Sequence, residues 1–104
     1  MMDHSGNLCS YLMRQKNWSK KTFGEGKRTV GICAHISKEL HEICGDPHDL
    51  TEWIEVIILA LDGYWRHGGD PDLIYCHLEA KQNINFGREW PSQTSEDSAA
   101  EHIR

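Results

Sequence analysis

Residues 52–65 read Glu52-Trp-Ile-Glu-Val-Ile-Ile-Leu-Ala-Leu-Asp62-Gly-Tyr-Trp65, and this stretch decides the fold. Its apolar residues run round the whole circumference of a helix instead of marking one stripe, so the helix is expected to be buried on most sides. Two glutamates, Glu52 and Glu55, lie inside it. Moving a carboxylate out of water is expensive unless a cation or hydrogen bonds compensate. Acids here therefore need a physical reason that Leu or Ala would not, and a hard divalent cation is one.

Working outward, Asp49 is placed to cap this helix, with Glu52 three residues on completing a box-like start signal, and Gly68-Gly69-Asp70-Pro71 ends it after about His67. Upstream, a helix starting near Thr29 carries Val30, Cys33, Ile36, Leu40 and Ile43 at threes and fours, and Gly45-Asp46-Pro47 stops it. The segment from about Asp3 to Trp18 has Leu8, Tyr11, Leu12 and Gln15 at helical spacing and predicts a first helix. Ser19 to Arg28, with Gly24, Gly26 and the bases Lys20, Lys21, Lys27 and Arg28, predicts a loop. Downstream, Pro71, Leu73, Ile74, Leu78 and Lys81 predict a fourth helix ending near Asn85. Beyond Gly87 the chain turns polar, and Ser98 to Ile103 hints at one more turn. With no alternating strand pattern, the expectation is an all-α fold of four main helices, a single domain over 1–104 with a polar tail from about 88.

Composition limits the function classes. A chain of 104 residues supports one modest core that readily accepts help from oligomerisation. A net charge of −5 and a pI near 5.7 argue against a general phosphate-backbone binder, so no nucleic-acid partner is expected. Bases are available locally, however, before the first acidic pair and again at Lys81 and Arg88. Cys9, Cys33, Cys44 and Cys76 are scattered, with no CxxC and no secretory leader, which fits reduced thiols in a cytoplasm. No apolar stretch approaches the roughly 20 residues that cross a bilayer, so no membrane partner is expected.

The acids form two pairs, Glu39 with Glu42 and Glu52 with Glu55. Residues three apart on a helix lie about 60° apart around its axis and roughly 5–6 Å apart at Cβ, so each pair is local. The short loop makes the two helices antiparallel neighbours, which brings Glu42 toward Glu52, with Glu39 and Glu55 a turn deeper along the same seam. Asp62, about two turns after Glu55, is a candidate outer member, or else a partner for Arg66 one turn later. Clustered carboxylates repel without a cation, and oxygen-only ligands suit Mg²⁺ or Mn²⁺. Against this stands the reading of solvated faces, with Lys38–Glu42 as a surface ion pair and Glu52 as an N-terminal charge favouring the helix dipole. A zinc module drawn from Cys33, His35, His41, Cys44 and His48 fails on geometry, since Cys33 and His35 diverge by roughly 160° on a helix. A non-catalytic helical adaptor is the other alternative, because so short an amphipathic hairpin wants a partner.

The string Lys38-Glu39-Leu-His-Glu42, followed by Glu52-Trp-Ile-Glu55 and Leu59-Ala-Leu-Asp62-Gly-Tyr-Trp-Arg66, resembles the acidic signature of all-α, MazG-like nucleoside triphosphate pyrophosphohydrolases. More narrowly, the chain is similar to the small phage and bacterial dATP/dGTP diphosphohydrolase (MazZ-like) family. Trp18-Ser19, Thr22-Phe23-Gly24, Gly26-Lys27-Arg28, His35-Ile36, Lys81-Gln82, Asn85, Arg88, Trp90-Pro91 and Glu101-His102-Ile-Arg104 carry that narrower likeness, in order, from about Gln15 onward. The chain departs from the broad pattern in having Lys38 where a glutamate is usual, a shorter spacer between the acidic pairs, and Glu55 where an aspartate is usual.

The resemblance implies a helical bundle completed by oligomerisation, as a homodimer or homotetramer, in a bacterial or phage-infected host cytoplasm. It implies metal-dependent hydrolysis of a deoxynucleoside triphosphate, dGTP or dATP, between the α- and β-phosphates, with water attacking the α-phosphorus and pyrophosphate leaving. Glu39, Glu42, Glu52 and Glu55 are then the metal ligands for Mg²⁺ or Mn²⁺, and Glu39 or Glu42 the base that takes the water's proton. Lys81, Asn85 and Arg88 are the candidates to hold the pyrophosphate. Arg28, His35 and Trp18 are candidates to face the nucleotide, although helical aromatics such as Trp18, Trp53 and Trp65 more often pack in a core or between subunits.

Overall fold

A computed structural model describes residues 7–92 and 95–104. The described residues form four α-helices and no strand: α1 (Leu8–Phe23), α2 (Thr29–Gly45), α3 (Leu50–Arg66) and α4 (Ile74–Phe86), with a single 3₁₀ turn at Pro71–Leu73 leading into α4. None is long and apolar enough to cross a membrane. Two compact units divide the chain, residues 1–74 and residues 75–104.

In the first unit, α2 and α3 pack along their length as a hairpin, and α1 lies across α3 and the 3₁₀ turn. Leu12, Leu61, Trp65 and Ile74 make the buried cluster, with Leu8, Tyr11 and Tyr64 packed against it. The stems of Lys16 and Lys20 bring their ammonium groups to 5.6 and 5.7 Å from the Trp65 ring centre, and the Arg66 guanidinium lies 4.5 Å from it. Cations over an indole face let long basic side chains cover a buried aromatic at low cost.

The helix ends differ from the sequence expectation in instructive ways. Asn7 caps α1 by accepting from the Ser10 N–H at 2.8 Å; residues 3–6 of the expected first helix lie outside the described residues. α1 does not stop at Trp18 but runs to Phe23, so the expected loop shrinks to residues 24–28. Nothing between Ser19 and Phe23 breaks a helix, and Lys20 and Lys21 in the last turn favour its dipole. The break falls at Gly24, whose φ of 90° suits only glycine. Asp49 caps α3 through the Thr51 N–H at 3.1 Å. The reciprocal half of a capping box does not form, because the Asp49 N–H is bonded to the Asp46 carbonyl and the Glu52 side chain turns toward α2.

Burial on the hairpin also differs. α2 buries Ile32, Glu39 and Ile43, with Ile36 half-buried, and leaves Val30, Cys33 and Leu40 facing outward. α3 is not enclosed on most sides within one chain: Leu50, Trp53, Ile54 and Ile57 are each about half or more exposed, one continuous stripe at i, i+3, i+4 and i+7. The reason is that α1 and α2 cover one side of α3, and the described residues of the first unit hold no element for the other.

In the second unit, α4 ends at Phe86 and the chain folds back on itself. Glu89 donates its N–H to the Arg104 carbonyl at 2.9 Å and accepts from the Ile103 N–H at 2.6 Å, and the side chains of Glu89 and Arg104 pair. The Trp90 ring meets His102 edge-on. No helical turn forms from Ser98 to Ile103: the Ser98 N–H bonds back to the Ser95 carbonyl and the Ile103 N–H to Glu89.

Candidate active site

Glu39 and Glu42 lie one turn apart near the C-terminal end of α2, and Glu52 lies in the first turn of α3, directly after the short connection. Each contributes a carboxylate oxygen to a trio whose atoms lie within 4.8 Å of one another. Glu39 is buried, Glu52 half-buried and Glu42 exposed, so the cluster opens to solvent on the Glu42 side. One oxygen of Glu39 and one of Glu52 are sealed from solvent and reach no hydrogen-bond donor. Unsatisfied buried carboxylate oxygens are costly.

The electrostatics follow from the crowding. A proton held between Glu52 and its neighbours Glu39 and Glu42, together with burial and their negative charge, pushes the Glu52 carboxyl up to about 7 from the usual 4.5. Glu39 is held below the usual carboxylate range, chiefly by the same hydrogen bonds from Glu52 and Glu42, with help from His35 and Lys38. His35 Nε2 stands 3.4 Å from Glu39 Oε1. Lys38, where the MazG-like pattern has a glutamate, thus adds positive charge beside the trio. An oxygen-only donor set with two orphaned oxygens fits a hard cation such as Mg²⁺ or Mn²⁺.

Glu55 is set apart from the trio. It is half-buried one turn along α3 and lines a pocket with Gln15, Trp18, Ser19, Phe23, Arg28, His35, Ile58, Leu59 and Asp62. Counting its solvent-open mouth, the pocket spans about 520 Å³. Its wall is largely apolar: Trp18, 56% exposed, meets Phe23 edge-to-face at 5.5 Å, and the Arg28 guanidinium lies over the Phe23 ring at 4.8 Å. His35 belongs to the pocket and contacts Glu39, so it joins pocket to acids.

Trp18, Arg28 and His35 are thus brought to one pocket, and Trp18 is neither core nor covered. Trp65 is buried, and Trp53 is half-exposed with its indole N–H donated to the Pro47 carbonyl at 3.0 Å. Asp62 does not join the trio: its two oxygens accept from Ser19 Oγ at 2.7 Å and from Arg66 Nε at 3.0 Å. Lys81, Asn85 and Arg88 fall in the second unit, where Lys81 is exposed and Arg88 Nη1 donates to Asn85 Oδ1 at 3.4 Å. The Asn85 carbonyl accepts the Trp90 indole N–H at 2.8 Å, which ties the end of α4 to the tail. Sequence reasoning missed Ser19, Ile58 and Leu59 as pocket residues. Ser19 follows Leu8, Leu12 and Gln15 on one helical stripe, and a polar residue on an apolar stripe was the available signal.

Among the described residues, then, an all-helical fold sets a carboxylate cluster on a helical hairpin beside a pocket with an aromatic wall. The chain belongs to the dATP/dGTP pyrophosphohydrolase family, whose profile matches residues 11–104. It is accordingly an enzyme, a nucleoside triphosphate diphosphatase, and the adaptor alternative falls away. No curated protein and no solved structure matches it.

Proposed function

We propose that this enzyme hydrolyses dGTP or dATP to the monophosphate and pyrophosphate at a Mg²⁺ site formed by Glu39, Glu42 and Glu52, with Glu55 in the wall of the adjoining pocket. The observation that carries the reading is the pair of sealed, partnerless carboxylate oxygens in a trio that adjoins an aromatic pocket through His35. Mn²⁺ suits the same oxygens.

When bound, Mg²⁺ supplies positive charge to the phosphate oxygens and lowers the pKa of the attacking water. The chain's own residues do the rest. Trp18 and Phe23 offer the faces on which a purine stacks, and the Arg28 guanidinium closes that wall. Water attacks the α-phosphorus, the bond to the bridging oxygen of the β-phosphate breaks, and Glu42, the solvent-facing acid, accepts the proton. Lys81, Asn85 and Arg88 of the second unit are carried over from the resemblance alone as the groups proposed to bind pyrophosphate.

Purified enzyme is incubated with Mg²⁺ and each common ribo- and deoxynucleoside triphosphate, and products are resolved by chromatography. dGMP or dAMP with pyrophosphate is expected. Release of orthophosphate, or turnover that survives EDTA, overturns the reading.

A pH prediction follows from Glu52. Its carboxyl titrates near 7 in the folded protein and near 4.5 when exposed, so the folded state holds the extra proton. The stability this group contributes is full below about 4.5 and is lost as pH rises through about 7. A cation that displaces the proton restores it. The rise in melting temperature on adding Mg²⁺ is therefore expected to grow between pH 5 and pH 8, read by thermal denaturation. A shift that is constant across that range would separate Glu52 from the metal.

The exposed stripe on α3, together with Val30 and Leu40 on α2, is too apolar to face water and suits a second copy of the chain. A homo-oligomer, dimer or tetramer, is expected by analytical ultracentrifugation, with Ile57→Glu shifting it toward monomer; a wild-type monomer at micromolar concentration excludes it.

A further inference from the structure

Arg66 closes α3 with a guanidinium that is fully buried and fully used. Nε donates to Asp62 Oδ2 at 3.0 Å. Nη1 donates to the Gly24 carbonyl at 2.8 Å and to the Gly26 carbonyl at 2.6 Å. Nη2 donates to Ser19 Oγ at 2.8 Å and to the Ser19 carbonyl at 3.3 Å. The Ser19 hydroxyl in turn donates a hydrogen bond to Asp62 Oδ1 at 2.7 Å. One side chain thus ties the last turns of α1 and α3 to the loop between α1 and α2.

That loop needs tying. It holds two glycines in five residues, and pocket residues mark its ends, Phe23 just before it and Arg28 as its last member. Arg28 sits in the left-handed region at φ 51°, with no side-chain hydrogen bond capping α2. A non-glycine residue holds such a conformation only where its surroundings enforce it. Arg66 itself is not among the pocket-lining residues.

We propose that Arg66 is a positioning residue for nucleotide binding: by clamping the Gly24 and Gly26 carbonyls it fixes the loop that sets Phe23 and Arg28 against the base. The inference rests on the reading of this pocket as the purine site. The glutamate trio stands on α2 and α3 and does not depend on the loop, so the clamp acts on how tightly substrate is held and not on the chemical step.

Arg66→Lys keeps a cation beside Asp62 but cannot fork between two carbonyls and a hydroxyl. Steady-state kinetics with dGTP and dATP are expected to show KM raised roughly tenfold with kcat within about twofold, and limited trypsin digestion is expected to cut faster after Lys27 and Arg28. A folded Arg66→Lys enzyme with unchanged KM overturns the proposal. Gly24→Ala is the second variant, because it strains the loop while leaving Arg66 in place, and it is expected to give the same split. Unchanged KM in folded Gly24→Ala likewise overturns it. Trp18→Ala separates the two readings. If it raises KM while Arg66→Lys and Gly24→Ala do not, the clamp alone is refuted; if it leaves KM unchanged, the base-pocket reading fails and the clamp falls with it.

Discussion

Glu39→Gln is expected to lower kcat at least about a thousandfold, equivalent to about 4 kcal/mol of transition-state stabilisation, while leaving the metal-free fold as stable as wild type or more so. The two effects share a cause. Glu39 is the buried acid of the trio, and one of its oxygens is sealed without a donor, so the site is built around a charge that the protein alone does not satisfy. An amide removes that charge and supplies an N–H toward Glu52, which relieves the crowding that drives Glu52 up to about 7. The same relief removes a ligand, so the Mg²⁺-induced rise in melting temperature is expected to disappear along with turnover. Thermal melts with and without Mg²⁺, set beside steady-state rates, read both. A Glu39→Gln protein that is still stabilised by Mg²⁺ to the wild-type extent would remove Glu39 from the metal site, whatever its activity.

Much of this could be read from residue order. The hairpin was legible because Gly45-Asp46-Pro47 and Asp49 mark its connection, and a connection that short leaves the two acidic pairs few places to go. What could not be read was which acid is buried. Glu55 lies among Ile54, Val56, Ile58 and Leu59, which made it the expected costly carboxylate; in the structure Glu39 is the most enclosed and Glu55 looks into a pocket. α2 carries apolar residues on two faces, and spacing alone put Val30, Cys33, Ile36, Leu40 and Ile43 on one stripe; of these only Ile43 and, half-way, Ile36 are buried, and Ile32, outside that stripe, is buried with them. The choice depends on α3, a tertiary fact that periodicity within one helix does not contain. The pocket was legible only as a list of candidates. Trp18 could be read either as a residue facing the nucleotide or as a packed helical aromatic, and only the continuation of α1 through Ser19 to Phe23 places it beside Phe23 at an open wall. Arg66 illustrates the remaining gap: Asp62 four residues earlier announces an ion pair, but nothing in the sequence announces the two loop carbonyls that complete it.

Asp62→Ala is expected to be the most destabilising single substitution in the first unit, costing about 3–5 kcal/mol because it strands the buried Arg66 charge. For a domain of this size that lowers the melting temperature by roughly 15 °C or more, against a total stability of only about 5–15 kcal/mol. The loss is larger than one hydrogen bond because Asp62 satisfies both Ser19 Oγ and Arg66 Nε, and among the described residues no other carboxylate is bonded to that guanidinium. Activity should fall with the folded fraction and return when the protein is assayed well below its new midpoint, which distinguishes Asp62 from Glu39. If Asp62→Ala instead melts like wild type but loses its Mg²⁺-induced stabilisation, Asp62 is an outer ligand after all. The double variant Asp62→Leu with Arg66→Met sharpens the argument. Removing both charges together leaves no buried ion uncompensated, so it should be less destabilised than Asp62→Ala alone, because the solvent-side carbonyls of Gly24 and Gly26 can turn to water. It should nevertheless bind nucleotide poorly, because the loop is no longer held. A double variant as unstable as Asp62→Ala would mean that the clamp on the loop, and not the ion pair, carries the stability of this corner of the fold.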